Sequence, residues 1–408
     1  MRRPLTTLAA VAALLGAAEA PALAIGEPEL NRLITREQRK LGPRSGVIVV
    51  DLSSASTLFA SGAERALVPA SNEKLYVTAA ALLKLGPAAT LDTTAAVAGS
   101  ATLDEDGRLD GNLYLIGAGD PTLGEAALTD LARRVRKAGV RRLAGGVRGD
   151  ESAFDALRGG PDSGYGYDYD LGGALGALVW AHGSARNGSP ALAAATRFGR
   201  ALKAAGVRYS RAPAVGTMPA ASGGGAAAAK ANVVATWRSP TVAELAQRIN
   251  VPSENFYAEM LTKALGAKAG AAGSTTAGLR VVSSAIRPFS IEPRLVDGSG
   301  LSRGNRTTPL QLVTLLAGMR KSGAATEFRA SLPIAGLSGT IAKRMRGTAA
   351  AGRCRAKTGT LIGVSSLSGY CTSRGGRQVA FSIVSNGVST YSAKKTEDRI
   401  TAAIARLD

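Results

Sequence analysis

Residues 353–385 read RCRAKTGTLIGVSSLSGYCTSRGGRQVAFSIVS, and this stretch decides the fold. Its apolar runs are separated by glycine-containing turns, which predicts three consecutive strands. The three runs are 353–360, 366–371 and 378–385. Residues 394–407 are predicted to end the chain as a helix, and residues 46–52 (GVIVVDL) to form a buried strand whose hairpin partner is 57–60. The first and last thirds of the chain are therefore expected to build one α/β (α+β) domain, an antiparallel sheet flanked by helices.

The segment after Pro69 is predicted to be a helix over 71–85 that stops at Gly86-Pro87. From about residue 95 the chain changes to short strands and turns, with a glycine- and tyrosine-rich loop at 159–173. Residues 223–229 form a low-complexity Gly/Ala run, which is typical of a surface loop. The middle third is therefore interpreted as an insertion. The predicted limits are 25–94 and 236–408 for the two parts of the main domain, and 95–235 for the inserted part.

The N-terminus has the pattern of a secretory signal peptide over residues 1–24. Arg2 and Arg3 precede an apolar run at 5–15, and Ala22-Leu-Ala24 is a small-residue cleavage site. The apolar run is too short to span a bilayer as a helix. These features predict an exported protein of the periplasm or of the extracellular cell wall.

The formal net charge is +20 over 408 residues. Such an excess favours anionic surroundings, either wall polymers or a membrane surface. The alternative is a compositional bias towards Arg that is spread over the surface. Export and an aromatic content of only 4% argue against a nucleic-acid partner.

The two cysteines, Cys354 and Cys371, lie on predicted neighbouring strands on either side of a turn. Outside the cytoplasm they can form a disulfide, and the alternative is two buried thiols. Because strand side chains alternate, Cys354 and Lys357 are expected on opposite faces. One histidine, His182, and two such cysteines make a poor ligand set, so no metal and no other cofactor is predicted.

Three short motifs occur in order along the chain. They are Ser71-Asn-Glu-Lys74, Ser253-Glu-Asn255 and Lys357-Thr-Gly-Thr360. Each is weak alone, but in this order they form the active-site set of the serine enzymes that react with penicillin. That set generates a serine nucleophile without a histidine, which agrees with the single His182.

Each motif residue can be given a separate role in catalysis. Ser71 is the candidate nucleophile, and Lys74, three residues later at a helix start, can take its proton if its pKa is lowered. Burial and the second cation Lys357 would both lower it. Ser253 can relay a proton to the leaving amine, and Asn255 can hold Lys74 and the substrate amide. The alternatives are a helix cap at Ser71, another at Ser253, and a solvated edge strand at Lys357.

The third motif supplies candidate substrate-binding groups. Lys357 and Thr358 can bind a terminal carboxylate, and Gly359 lies between them and Thr360. The backbone N–H groups of Ser71 and Thr360 are the expected oxyanion hole.

Longer runs extend the resemblance beyond the motifs. They are residues 117–123 (GAGDPTL), 149–155 (GDESAFD), 253–261 (SENFYAEML), 297–303 (DGSGLSR), 332–336 with 339–340, and 356–361 with 367–370. Together they make the chain similar to the class C low-molecular-mass penicillin-binding proteins, peptidase family S13. The resemblance implies a serine β-lactamase/transpeptidase-like domain with two inserted domains between the first two motifs. The gap between these motifs is short for two such domains, which favours a reduced second insert near 192–234.

The resemblance also implies an activity. Family members cleave the terminal D-Ala of peptidoglycan stem peptides, or the D-Ala–diaminopimelate crosslink, through an acyl-serine intermediate, and β-lactams acylate the same serine. They recognise the diaminopimelate terminus with an Asp and an Arg, carried here onto Asp150 and Arg303. Asp150 could instead cap a turn, and Asp297 could pair with Arg303 structurally. The competing functions are a serine β-lactamase and a non-catalytic wall-binding relative.

Overall fold

The computed structural model describes residues 23–184, 188–219 and 232–408. Its α-helices are Glu27–Gln38 (α1), Lys74–Lys84 (α2), Glu125–Lys137 (α3), Pro190–Ala204 (α4), Val242–Asn250 (α5), Asn255–Ala269 (α6), Thr275–Ile286 (α7), Pro309–Arg320 (α8), Ala325–Ala330 (α9) and Thr390–Ala405 (α10). Its strands are Ser45–Asp51 (β1), Thr57–Ser61 (β2), Thr93–Val97 (β3), Arg108–Leu109 (β4), Leu113–Ile116 (β5), Arg142–Leu143 (β6), Gly146–Asp150 (β7), Arg211–Val215 (β8), Asn232–Trp237 (β9), Cys354–Leu361 (β10), Val364–Thr372 (β11) and Gln378–Asn386 (β12).

The main sheet has five antiparallel strands in the order β10-β11-β12-β1-β2. Strands from the two ends of the chain thus meet in the middle of this sheet, where β1 pairs with β12. The fold class expected from the sequence is confirmed. Because β10 is an edge strand, its last residues are not covered by another strand of the sheet.

Helices cover both faces of the main sheet because its strands alternate between two apolar cores. Val47 and Val49 face one core, which they share with α1 and α10. Ile48 faces the other core, which contains α2 and α5–α8. A sheet that is apolar on both faces must be covered on both.

Helix α2 is the central helix of the second core and is buried on nearly every side. The helix predicted over 71–85 starts later than expected, because Ala70–Glu73 forms a tighter 3₁₀ turn. Ala70 has a left-handed backbone, with φ of 49°, where the chain enters this turn. Ser71 therefore lies in the 3₁₀ turn, and Lys74 is the first residue of the α-helix.

A second five-stranded sheet, ordered β8-β7-β5-β3-β9, is formed between α2 and α5. Its limits, Thr93 and Trp237, lie two residues outside the 95–235 predicted for the insertion. Helices α3 and α4 share one apolar core with this sheet. The described residues of both expected inserts thus pack around a single core.

Two sequence predictions fall outside the described residues, the signal peptide for all but its last two positions and the Gly/Ala run at 223–229. Within the described ranges, no helix is both long and apolar enough to cross a bilayer.

Candidate active site

Ser71 and Lys74 are in direct contact at the start of α2. The Lys74 Nζ atom lies 2.9 Å from Ser71 Oγ and 2.7 Å from Asn255 Oδ1. It also donates a hydrogen bond to the backbone carbonyl of Ser299. Lys74 is fully buried, so its ammonium form is dehydrated in this position. The contact is the one that a base needs in order to take a hydroxyl proton.

The pKa of Lys74 is set by burial against four neighbouring acidic side chains. Burial lowers the pKa of Lys74 to about 8, while Asp297, Glu259, Glu254 and Glu73 act in the opposite direction. At pH 7 about a tenth of this lysine is therefore neutral. Lys74 can act as a base only in that fraction.

Lys357 extends from β10 to the second motif. Its Nζ atom donates hydrogen bonds to Ser253 Oγ at 2.8 Å and to the Thr358 carbonyl at 2.8 Å. Burial lowers the pKa of Lys357 well below its usual range, and the charge of Lys74 lowers it further. Burial is the largest cause of the lowered pKa of Lys74, as expected, whereas the charge effect between the two lysines acts on the pKa of Lys357.

Ser253 lies in the turn before α6 with a left-handed backbone, φ 67°. The alternative of a helix cap does not hold, since Glu254 is the capping residue and accepts from the Phe256 N–H at 3.1 Å. The turn instead directs the Ser253 hydroxyl towards Lys357. Ser253 and Asn255 thus contact different lysines, Lys357 and Lys74 respectively.

Asn255 also connects the site to the inserted domain. Its Nδ2 atom donates to the Asp170 carbonyl at 2.9 Å. Asp170 belongs to the loop at 159–173, whose preceding residues are anchored by the buried Lys263 through the Leu157 carbonyl at 2.7 Å. The loop therefore fixes the Asn255 amide, with its oxygen towards Lys74.

The segment 297–303 folds around one buried carboxylate. Asp297 accepts hydrogen bonds from the Gly300 N–H at 2.8 Å, the Ser302 N–H at 2.6 Å and Asn305 Nδ2 at 2.7 Å. Glu259 binds the N–H of Ser299 at 2.7 Å. This folding presents the Ser299 carbonyl to Lys74. Because the carbonyl is a backbone group, a search for side-chain motifs does not detect this contact.

Gly359 allows β10 to approach Ser71. A Cβ atom at this position would lie 3.0 Å from the Ser71 nitrogen and 2.5 Å from the Pro69 carbonyl oxygen. Only a residue without a side chain fits against this turn. Thr358 donates to Thr340 Oγ1 at 2.7 Å, and Thr360 is exposed on the same strand.

Cys354 and Cys371 form a disulfide and are directly opposite each other on β10 and β11. Both are buried in the core that contains α1 and α10. The Lys357 side chain extends to the other face, towards Ser253. The disulfide thus joins the two strands behind the site.

Asp150 and Arg303 are not brought together. Both Asp150 oxygens accept backbone N–H groups of the inserted domain, from Ser152 at 2.9 Å and from Met218 at 2.7 Å. Asp150 therefore has the turn-capping role that the sequence left open. The acidic residue beside Arg303 is Asp162, which accepts the Arg303 backbone N–H at 3.2 Å.

Arg303 is exposed at the rim of the site, and its Nη2 atom donates to the Ile362 carbonyl at 2.6 Å. The Asp297–Arg303 ion pair left open by the sequence is not formed, since the Asp297 carboxylate is occupied by backbone and amide donors. Asp162 also accepts from Ser302 Oγ at 2.7 Å. An exposed acid thus lies beside an exposed arginine that contacts the turn between β10 and β11.

The comparison with protein families is decisive. The model of the D-Ala-D-Ala carboxypeptidase 3 (S13) family matches residues 29–172 and 169–407. The chain belongs to the S13 family. The resemblance inferred from the motifs is thereby confirmed, and this S13 chain is a serine-type D-Ala-D-Ala carboxypeptidase.

Relatives of this S13 chain match it over most of their length. It is 33% identical to the D-alanyl-D-alanine carboxypeptidase of Actinomadura sp. (strain R39), over 89% of this chain and 81% of that protein. It is 33% identical to carboxypeptidase DacB of Mycolicibacterium smegmatis, over 91% of this chain and 80% of that protein. The crystal structure of penicillin-binding protein 4 from Haemophilus influenzae superposes with a TM-score of 0.73 at 22% identity, over 91% of this chain and 98% of that one.

Proposed function

We propose that the chain cleaves the terminal D-Ala-D-Ala bond of peptidoglycan stem peptides, and the related D-Ala crosslink, through an acyl-enzyme on Ser71. The observation that carries the proposal is the contact of the buried Lys74 Nζ with Ser71 Oγ. Neutral Lys74 takes the hydroxyl proton as Oγ attacks the carbonyl carbon of the penultimate D-Ala. The oxyanion is bound by the N–H groups of Ser71 and Thr360.

The tetrahedral intermediate then breaks its carbon–nitrogen bond. The leaving amine of the terminal D-Ala takes the proton held by Lys74, with Ser253 as a relay. Lys357 and Thr358 bind the terminal carboxylate, which pairs with the charge that Lys357 acquires in the complex. Water then attacks the ester and regenerates Ser71. A β-lactam enters the first step in the same way and leaves a stable adduct.

The open edge of β10 supports binding of an extended peptide. Residues 333–335 pair with the start of β10, through the hydrogen bond from the Ala356 N–H to the Pro333 carbonyl at 3.0 Å. The remainder of this edge, next to Lys357, is available to a substrate strand, which gains main-chain hydrogen bonds by adding to a sheet.

Intact-protein mass spectrometry after mixing with benzylpenicillin, followed by peptide mapping, tests the proposal. We expect one stable adduct on Ser71 and none in Ser71→Ala, together with release of D-Ala from a stem peptide. Rapid return to free enzyme with hydrolysed drug would instead support the β-lactamase alternative. Absence of both adduct and turnover would support a non-catalytic wall-binding relative.

We infer that Arg303 and Asp162 recognise the zwitterionic terminus of a diaminopimelate side chain. Their exposure at the rim of the site supports this role, and the backbone contacts that occupy both Asp150 oxygens argue against Asp150 in it. Asp162→Asn should lower kcat/KM for a diaminopimelate stem peptide about tenfold, by loss of a charged hydrogen bond. Asp150→Asn is the matched control and should leave the preference over an alanine-containing analogue unchanged. An equal loss on both peptides in Asp162→Asn would contradict this role.

The proposal includes export. The signal-peptide pattern at 1–24 supports delivery to the cell wall, where the substrate lies. The charge of +20 supports electrostatic association with anionic wall polymers or a membrane surface. Mass spectrometry of the protein recovered from the culture medium or the envelope, with its N-terminus identified, tests processing near residue 25.

A further inference from the structure

A cleft of about 320 Å³ opens at the opposite end of β10 from the nucleophile. Three arginines line it, Arg320 at the end of α8, Arg329 on α9 and Arg355 on β10. Arg355 precedes Gly359 by four residues, which places the cleft about 13 Å along the strand from the residue that touches Ser71. The cleft is therefore separate from the acylation site.

The walls of the cleft combine positive charge with apolar surface. Tyr370 is paired with Arg355 across β10 and β11, and Leu52 contributes an aliphatic wall. The Tyr370 hydroxyl donates to the Leu316 carbonyl at 2.7 Å, so the ring is held in a fixed position. No Asp or Glu lines the cleft in the described part of the chain.

The three guanidinium groups lack a counter-ion. None takes part in an ion pair among the described residues, and Arg320 donates only to the Leu52 carbonyl at 3.1 Å. Burial lowers the pKa of Arg355, and the nearby charge of Arg329 lowers it further. The charges of Arg329 and Arg320 also lower the pKa of the Tyr370 hydroxyl, which burial raises. Like charges that line one concavity repel one another, and a bound anion would relieve that repulsion.

Arg320 and Arg329 are exposed and Arg355 is half-buried, and all three differ from the ion-paired arginines among the described residues. Arg344, for example, lies between Glu397 and Asp398, each at 2.8 Å. A guanidinium presents paired N–H donors that match two oxygens of one oxyanion. A phosphate monoester carries a charge of about −1.5 to −2 and offers three acceptor oxygens, which complements three guanidinium groups better than a single carboxylate does.

We propose that this cleft is a binding site for a phosphate monoester, with Arg320, Arg329 and Arg355 around the phosphate and with Leu52 and Tyr370 against its organic part. The same chemistry is offered by a small soluble phosphate ester and by the headgroup of a phosphatidic acid. The site depends on neither Ser71 nor the proposed peptidase reaction.

Isothermal titration calorimetry with glycerol 3-phosphate, at ionic strength held constant with chloride, tests the proposal. We expect saturable binding with one site per chain. Arg355→Gln and Arg329→Gln should each weaken binding at least tenfold. The matched control is Arg287→Gln, which removes an exposed arginine outside the cleft and should change affinity less than twofold. Acylation by benzylpenicillin at the wild-type rate in each variant verifies folding.

Two further arms distinguish the sources of the phosphate. Vesicles of phosphatidylcholine with and without phosphatidic acid, tested by co-sedimentation, should bind the chain through Arg329 and Arg355 if a headgroup can enter the cleft. Binding of glycerol 3-phosphate without such vesicle binding identifies a soluble ligand. Failure of the wild-type chain to bind either probe saturably would overturn the proposal. Equal weakening in Arg329→Gln and Arg287→Gln would do so as well, because it indicates non-specific attraction to net charge.

Discussion

The acylation rate should follow the deprotonation of Lys74. The pKa of Lys74 is lowered to about 8 by burial, and only its neutral form can take the Ser71 proton. The neutral fraction rises from about 1% at pH 6 to about 50% at pH 8, so the second-order rate constant with benzylpenicillin should rise about 50-fold over this interval. The sign follows from the base role, since an acid in this position would give the opposite trend.

The measurement is the rate of adduct formation by rapid quench and intact mass, at drug concentrations far below saturation. Circular dichroism at each pH verifies that the fold is unchanged. Lys74→Ala should lose most of the rate at every pH. Lys84→Ala, which removes an exposed lysine at the other end of the same helix, is the matched control and should reproduce the wild-type profile.

A flat profile between pH 6 and pH 8 would refute the assignment of Lys74 as the base, provided that acylation and not drug binding limits the rate. A profile that persists in Lys74→Ala would refute it as well, because another group would then carry the titration. Lys357 is the alternative group to examine, since its pKa is also lowered by burial and it touches Ser253.

Three other changes test separate parts of the site. Gly359→Ala should slow acylation about 100-fold, because its methyl group must displace the turn that carries Ser71. The thermal unfolding midpoint shows whether the fold survives, and a wild-type acylation rate would contradict the close approach of β10 to this turn. Replacing both Cys354 and Cys371 with Ala should lower the free energy of unfolding by about 3 kcal/mol in denaturant titrations, with acylation retained, since the bond closes a loop across 17 residues behind the site. Glu73→Gln should leave the pH profile of acylation in place, because burial, Asp297 and Glu259 hold the pKa of Glu73 well above its usual range and keep it neutral; a profile displaced to lower pH would mean that Glu73 is charged.

The main sheet was predictable because its strands are long and their apolar pattern is strong. The predicted 378–385 strand differs from β12 by one residue at its end. The helix at 71–85 was placed three residues early, because the turn Ala70–Glu73 depends on the contact with β10 and not on local preference. Helix α7 was not predicted at all, although Ser274 caps it at 3.1 Å. Its buried positions recur at helical spacing opposite the exposed Thr276, Arg280 and Ser284, so the periodicity is present in the sequence.

The motif side chains were predictable, whereas their partners contributed by backbone were not. A carbonyl group has no signature in the sequence, so the contacts of Ser299 with Lys74 and of Asp170 with Asn255 become visible only in the structure. Asp162 was missed for a related reason. It lies in a loop without periodicity, and its position beside Arg303 depends on how the inserted domain docks.

The inserted domain thus contributes to the active site as well as to the size of the protein. One loop of that domain supplies the Asp170 carbonyl to Asn255 and the Asp162 carboxylate to Ser302. The first contact orients the amide that holds Lys74, and the second fixes the segment whose Ser299 carbonyl accepts from the same lysine. Movement of the loop would therefore change the position of the base and the shape of the substrate rim together. If a substrate side chain binds at Asp162 as proposed, we expect it to stabilise the loop that aligns Asn255, which would couple substrate recognition to proton transfer.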